Sequence, residues 1–579
     1  MELSDNALKV LRRRYLLKDE HGKVIETPDE MFGRVARYVA SADEVYGDVT
    51  HSLQEFYSVM SDLEFLPNSP TLMNAGTRLK QLAACFVLPV GDSLDEIFET
   101  LKNAAIIHQS GGGTGFSFSR LRPQGDIVGS TGGIASGPVS FMKVFDAATQ
   151  AIKQGGRRRG ANMGILRVDH PDIVDFITVK HEPGVLTNFN LSVGVTDTFM
   201  DALEAGGSYE LINPRTGGVT ECKDAIEIFD LIAASAWESG EPGLIFLDGI
   251  NQDNPTPELG TIEATNPCGE QPLLPYEACN LGSINLDKMV KDQTIDYDKL
   301  GRTVDIAVRF LDNVIDLEQF LLEHIDRMVK GNRKIGLGVM GFADMLIQLG
   351  IAYNSLEAVQ AAEEVMTFIC SRAAEASEKI AQRRGVFGNF NGSIYNRPGR
   401  PAVRNATRIT IAPTGSISII AGCSSGIEPI YAVSYVKTVM EGEKLMVTNP
   451  YFEKIARSEG FYSDELMERI ASAGSVQGMP DVPKAVQQLF VTSHDMGYEW
   501  HIRLQAAFQK YADNAVSKTI NFRHDATKED VNRAFRLAYT LGCKGITVYR
   551  DRSRNEQVLT TVEDVLQDCD YCGAVLNPT

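Results

Sequence analysis

From Phe65 to about residue 550, short apolar runs such as Gly243-Leu-Ile-Phe-Leu247 and Thr407-Arg-Ile-Thr-Ile-Ala412 alternate with helical periodicity and glycine-rich turns. Short, almost wholly apolar runs rich in β-branched residues read as strands buried on both faces, and such strands belong to parallel sheets covered by helices. The pattern predicts an α/β domain over residues 65–550. Within it, helices are expected over 93–109, with Ile97, Leu101 and Ala105 on one face, and over 138–154, with Pro138 in the first turn. Residues 1–64 have a different texture. Leu8, Val10, Leu11 and Tyr15 recur at helical spacing and a second amphipathic stretch covers 31–40, which predicts a small helical N-terminal cap. Residues 551–579 form a short tail.

A formal charge of −20 repels a polyanion at long range, so wrapping around nucleic acid is not expected. A small anion remains compatible, because it needs only a local cradle of backbone N–H groups. No apolar run of about 18 residues is present and Met1-Glu-Leu-Ser-Asp lacks the basic and apolar parts of a leader, so a cytoplasmic protein without a membrane span is expected. The nine cysteines lack the dense spacing of a secreted disulfide scaffold, which indicates a reducing compartment. Cys222, Cys370, Cys423 and Cys543 default to small core hydrophobes.

The most informative segment is Asn266-Pro-Cys-Gly-Glu-Gln-Pro272, in which an amide, a thiol and a carboxylate occupy alternate positions of a glycine- and proline-bounded loop. In extended backbone, alternate side chains point the same way, so Asn266, Cys268 and Glu270 are expected to converge. A carboxylate beside a thiol disfavours thiolate and therefore nucleophilic catalysis. It suits hydrogen-atom chemistry instead, with a neutral S–H giving up its hydrogen while the carboxylate acts as general base.

Asn266-x-Cys268-x-Glu270, followed by Gln-Pro-Leu-Leu-Pro-Tyr-Glu-Ala-Cys-Asn-Leu-Gly-Ser-Ile-Asn285, resembles the finger-loop region of class II ribonucleotide reductases. The resemblance extends over nearly the whole chain. It includes Phe65-Leu-Pro-Asn-Ser-Pro-Thr-Leu-Met-Asn-Ala-Gly76, Ser110-Gly-Gly-Gly-Thr-Gly-Phe116, Gly155-Gly-Arg-Arg-Arg-Gly-Ala-Asn-Met-Gly164, Ala412-Pro-Thr-Gly-Ser-Ile-Ser418 and Gly542-Cys-Lys-Gly-Ile-Thr-Val-Tyr-Arg550. The fold it implies is a ten-stranded α/β barrel of two five-stranded parallel halves, with Cys268 on a loop through the centre. The activity it implies is reduction of ribonucleotides, with ribonucleoside diphosphates as the expected substrates. Cys268 would carry the thiyl radical, Glu270 would deprotonate the 3′ hydroxyl, Asn266 would hold substrate and carboxylate, and Cys85 with Cys279 would form the redox-active pair. The implied nucleotide contacts are Ser69, Ala84 and Gly113, with Pro413, Thr414, Gly415, Ser416 and Ile417 as the phosphate cradle and Mg²⁺ accompanying the phosphates.

The resemblance also implies a homodimer controlled by a deoxynucleotide or ATP effector. Lys153, Gln154, Arg157, Arg158 and Arg159 match its specificity loop, and Gly125-Asp-Ile-Val-Gly-Ser-Thr-Gly-Gly133 resembles a partner loop. Tyrosine-relayed class I catalytic subunits typically contain an adjacent tyrosine pair; no Tyr-Tyr dipeptide occurs here, so the implied radical source is adenosylcobalamin. The rivals are a class I catalytic subunit and a non-catalytic nucleotide-binding paralogue. Lys334-Ile-Gly-Leu-Gly-Val-Met-Gly-Phe342 has dinucleotide-fingerprint spacing, yet a glycine-tolerant barrel strand explains it better. Cys569-Asp-Tyr-Cys572 supplies half of a four-ligand zinc site. The expected reductant is a thioredoxin- or glutaredoxin-type dithiol; the alternatives for the rest of the cysteine tail are a separate tail polypeptide, a truncated sequence, or small dithiols acting in its place.

Overall fold

The computed structural model describes residues 2–128, 132–152, 160–439, 443–553 and 559–560. The specificity-loop positions Lys153, Gln154, Arg157, Arg158 and Arg159, and the tail cysteines Cys569 and Cys572, lie outside the described residues. The chain opens with helices α1 (Asp5–Val10), α2 (Pro28–Ala40) and α3 (Val49–Ser61). Local chemistry sets their starts: Ser4 and Asp48 cap α1 and α3, while Thr27 and Glu30 form a reciprocal capping box ahead of Pro28. Met31, Phe32, Val35, Ala36 and Val39 form the buried face of α2.

Next come β1 (Phe65–Pro67), α4 (Ser69–Asn74), β2 (Cys85–Val87), α5 (Leu94–Ser110), β3 (Gly113–Ser117), α6 (Gly137–Ala151), β4 (Asn162–Arg167), β5 (Phe189–Val195) and β6 (Gly243–Phe246). Then follow a short hairpin of β7 (Ala264–Thr265) and β8 (Pro272–Leu273), β9 (Ala278–Asn285), α7 (Tyr297–Leu317), β10 (Ile335–Met340), α8 (Leu356–Arg384), α9 (Ile417–Ala421), β11 (Thr519–Phe522) and β12 (Gly545–Arg550).

Strands β2, β3, β4, β5 and β6 are parallel neighbours in that order. The other half runs β9, β10, residues 407–411, β11 and β12, also parallel. The halves meet antiparallel at two seams, β2 against β9 and β6 against β12, and so close a ring. This is the ten-stranded α/β barrel of two parallel halves that the resemblance implied. β1 is an extra strand, antiparallel on the edge of β9. The strand expected over 407–412 takes the form of isolated bridges, Leu337 to Ile409 and Ile411 to Val516. Its Thr410 hydroxyl is within hydrogen-bond reach of both Glu270 O and Ala515 O, which ties this stave to the central hairpin as well as to its neighbour.

The apolar residues divide as a barrel requires. One large cluster lies outside the ring under the helices. A smaller one fills the lumen, where Cys85, Val87, Met163, Ile165, Ile245, Cys279 and Leu281 surround Ile262, Ala264, Leu273 and Leu274 of the hairpin and its approaches. Close approach explains two glycines. A Cβ on Gly115 would lie 1.7 Å from Thr265 O, and one on Gly336 would lie 2.5 Å from a Leu281 methyl and 2.7 Å from Gln271 Nε2. The fingerprint-like spacing of Gly336 and Gly338 therefore belongs to a barrel strand.

Two expectations need correction. The buried face of α5 holds Ile97, Ala104 and Ile107, whereas Leu101 and Ala105 are half-buried beside the exposed Leu94 and Phe98. The helix carries two apolar stripes, and the sequence pattern had picked out members of both. Cys222 is exposed on a surface hairpin strand and is no core residue; Cys543 is buried.

Candidate active site

The hairpin inserted into the barrel pairs Ala264 with Leu273 and Thr265 with Pro272, leaving residues 266–271 as its tip. The tip is tightly folded. Asn266 N–H donates to Gln271 O at 3.1 Å, Gln271 N–H donates to Asn266 Oδ1 at 3.0 Å, and Gly269 adopts a left-handed φ of 82°. Asn190 Nδ2 anchors it through Pro267 O at 2.8 Å, while Thr410 and Ala515 hold Glu270 O from the opposite half. The convergence predicted for Asn266 and Glu270 is present, but a reversing turn creates it, not the alternation of an extended strand.

The two buried side chains meet at Cys85. Asn266 Nδ2 donates to Cys85 Sγ at 3.0 Å, and Glu270 Oε1 lies 3.9 Å from the same sulfur. Cys279 is directly opposite Cys85 across the β2–β9 seam. Facing residues of an antiparallel pair have Cα atoms about 4.5–5.5 Å apart, a separation that a disulfide spans. Both thiols are free and buried. Burial, reinforced by the Glu270 carboxylate, pushes the Cys85 thiol well up, and burial does the same to Cys279, so both remain S–H at neutral pH. Cys268, at the tip, is exposed.

Two of the segments expected to bind nucleotide adjoin the elements that carry this centre. Ala84 O accepts from Gly113 N–H at 2.9 Å, one residue from Cys85. The segment from Pro413 to Ile417 follows stave 407–411, whose Thr410 touches Glu270, and leads into α9; Thr414 Oγ1 accepts from Gly426 N–H at 2.7 Å. Ser69 begins α4, and its hydroxyl shares a hydrogen bond of 2.7 Å with the Tyr15 hydroxyl.

Residues 83–401 and 399–549 match the family described as ribonucleotide reductase, barrel domain, and residues 1–80 match ribonucleotide reductase, all-alpha domain. The chain belongs to the ribonucleotide reductase family. It is 52% identical, over 97% of its length and 80% of the relative's, to the vitamin B12-dependent ribonucleoside-diphosphate reductase of Thermoplasma acidophilum. Its identity to the protein of the same name from Mycobacterium tuberculosis is 50%, over 97% of this chain and 81% of the other. Among solved structures, the Actinobacillus ureae class Id ribonucleotide reductase alpha subunit superposes with a TM-score of 0.78 at 25% identity, covering 95% of this chain and 97% of that one.

Around the candidate site of this reductase stand polar residues that sequence reasoning missed. Glu318 is buried and accepts the N–H groups of Leu82 and Ala83 at 2.8 and 2.7 Å, just ahead of Ala84 and Cys85; burial pushes its carboxyl up to about 8. Lys334 and Glu277 form an ion pair of 2.6 Å with both side chains 1% exposed, and Cys279 Sγ lies 3.6 Å from Lys334 O. Arg14 and Tyr15 reach Ser416 and Ser69 from the N-terminal layer. Lys334 stands at the polar edge of the run Ile335–Met340, where a solvated flank is the ordinary reading, so its burial left no local signal. The others depend on tertiary placement that no local pattern encodes.

Proposed function

We propose that this reductase converts ribonucleoside diphosphates to 2′-deoxyribonucleotides through a thiyl radical on Cys268, with adenosylcobalamin as the radical source. One observation carries the reading: Cys85 and Cys279 face each other at the barrel seam, with Asn266 and Glu270 of the finger hairpin meeting Cys85. A dithiol, a carboxylate and an amide gathered in a lumen lined by apolar side chains is what radical dehydration followed by two-electron reduction needs. The surrounding barrel shields the Cys85 and Cys279 sulfurs from solvent.

When bound, adenosylcobalamin would supply the initiating radical, by homolysis of its Co–C bond. Cys268 suits that role because it alone of the three site thiols is exposed. Its sulfur takes the 3′ hydrogen atom of the ribose, and Glu270 takes the proton of the 3′ hydroxyl. Asn266, fixed through its Oδ1 to Gln271 N–H, keeps substrate and carboxylate aligned. The 2′ hydroxyl leaves as water with a proton from Cys85. Cys85 and Cys279 together give up two electrons and two protons and become a disulfide, and Cys268 returns its hydrogen atom to C3′. A ribonucleotide and a dithiol thus yield a deoxyribonucleotide, a disulfide and water.

Ser69, Ala84 and Gly113 hold the nucleotide in this reading, and Pro413, Thr414, Gly415, Ser416 and Ile417 cradle its phosphates with Mg²⁺. The half-exposed stripe of Leu94, Phe98, Leu101 and Ala105 on α5, beside Val144 of α6, supports a homodimer. An effector deoxynucleotide binds near the loop that follows α6, and a dithiol protein re-reduces the Cys85–Cys279 pair. The cobalamin reading gains from the identities, which are twice as high toward the B12-dependent relatives as toward the class Id subunit.

Single turnover without a reductant tests the reading. Anaerobic reaction of cytidine diphosphate with the cobalamin-loaded enzyme should give about one deoxynucleotide per active chain and one new disulfide, mapped to Cys85 and Cys279. Product formed while both thiols stay free would contradict it.

A further inference from the structure

We propose that Arg14 binds the terminal phosphate of the substrate, supplied to the barrel by the N-terminal helical layer. Leu11–Tyr15 forms a π-helical turn, in which Leu16 N–H donates to Leu11 O at 3.0 Å. Such turns are rare and occur disproportionately at functional sites. Its last two residues reach two separate segments of the proposed nucleotide site. Arg14 Nη1 donates to Ser416 Oγ at 3.1 Å, and the Tyr15 hydroxyl shares a hydrogen bond of 2.7 Å with Ser69 Oγ. Consecutive residues thereby tie the N-terminal layer to both the Ser69 and the Ser416 segments, which lie far apart in sequence.

Tyr15 is fully buried and anchors the turn. Arg14 is half-buried, and its Nε is shielded from solvent without a hydrogen-bond partner. A shielded guanidinium N–H with no acceptor is costly, and the planar fork of donors matches phosphate oxygens. An anion seated beside Ser416 would meet that donor. The proposal rests on the substrate reading above and adds to it: Arg14 senses the last phosphate of a nucleoside diphosphate and is indifferent to sugar and base.

The test is anaerobic calorimetric titration of cytidine diphosphate and cytidine monophosphate, with an effector deoxynucleotide present. The proteins are wild type, Arg14→Met, Arg14→Gln and Ser416→Ala, with thermal melts of each. Wild type should prefer the diphosphate. Both Arg14 variants should weaken diphosphate binding about 10- to 100-fold and leave monophosphate binding within a few fold. Arg14→Gln, which keeps length and a donor, decides the matter if the Met variant melts early. Undiminished diphosphate affinity in the Arg14 variants, with loss in Ser416→Ala, would remove Arg14 and keep the substrate site. Equal loss for both nucleotides would mark Arg14 as structural and overturn the proposal. A wild type that binds neither nucleotide would remove the substrate reading and the proposal with it.

Discussion

Glu318 shows how one buried carboxyl supports the Cys85 thiol, proposed here as half of the redox pair, without touching it. It accepts the N–H groups of Leu82 and Ala83 and so fixes the backbone that delivers Ala84 and Cys85 to the seam. Unfolded, this carboxyl loses its proton near 4.5; folded, it keeps it up to about 8. Between those values the native state binds the extra proton, so the group's contribution to stability falls as pH rises through the window and is constant above it. Glu318→Gln retains an acceptor oxygen and removes the titration. Urea midpoints at about pH 5 and about pH 8.5 should show a smaller loss of stability with rising pH in the variant than in wild type; equal losses would show that Glu318 is already ionised in the fold. None of this was legible in the sequence, because Glu318 lies far along the chain from Cys85 and acts through backbone groups. Asn266, Cys268 and Glu270 were legible, since their spacing is local. Which thiol the Asn266 and Glu270 side chains meet was set by the barrel.

At the scale of elements, the finger hairpin and the strand against it are a single fitted unit. Gly115 is the tightest point, because a methyl group there would collide with Thr265 O. Gly115→Ala should therefore displace the hairpin, at a cost of about 1–3 kcal/mol or more, and abolish turnover while far-UV circular dichroism stays native. Wild-type activity in this variant would contradict the placement of the hairpin. Helix α5 teaches a different lesson. Its periodicity was readable and its start at the Ser93 cap was close to expectation, but the buried face was misassigned because Leu94, Phe98, Leu101 and Ala105 make a second apolar stripe. Periodicity reports that a face is apolar and cannot say whether the same chain or another copy covers it. With Phe98 about half exposed, Phe98→Glu should shift the chain toward monomer in sedimentation velocity and blunt effector control. An unchanged sedimentation coefficient would place the interface elsewhere.

At the scale of the molecule, the barrel offers the enclosed setting that the proposed radical chemistry requires inside an otherwise ordinary α/β protein. Two parallel halves joined at antiparallel seams leave a lumen wide enough for one hairpin, and the seam places Cys85 against Cys279. The alternation of strands and helices foretold the parallel halves; the closing seams and the path of the finger were available only through family resemblance, because strand partners distant in sequence leave no local signature. The central claim is that Cys268 at the finger tip carries a cobalamin-initiated radical. Its most direct test is anaerobic conversion of cytidine diphosphate to its deoxy form, with dithiothreitol and an effector nucleotide, with and without adenosylcobalamin, for wild type and Cys268→Ala. The account predicts product only for wild type with the cobalamin present; turnover by Cys268→Ala, or by wild type without the cobalamin, would contradict it.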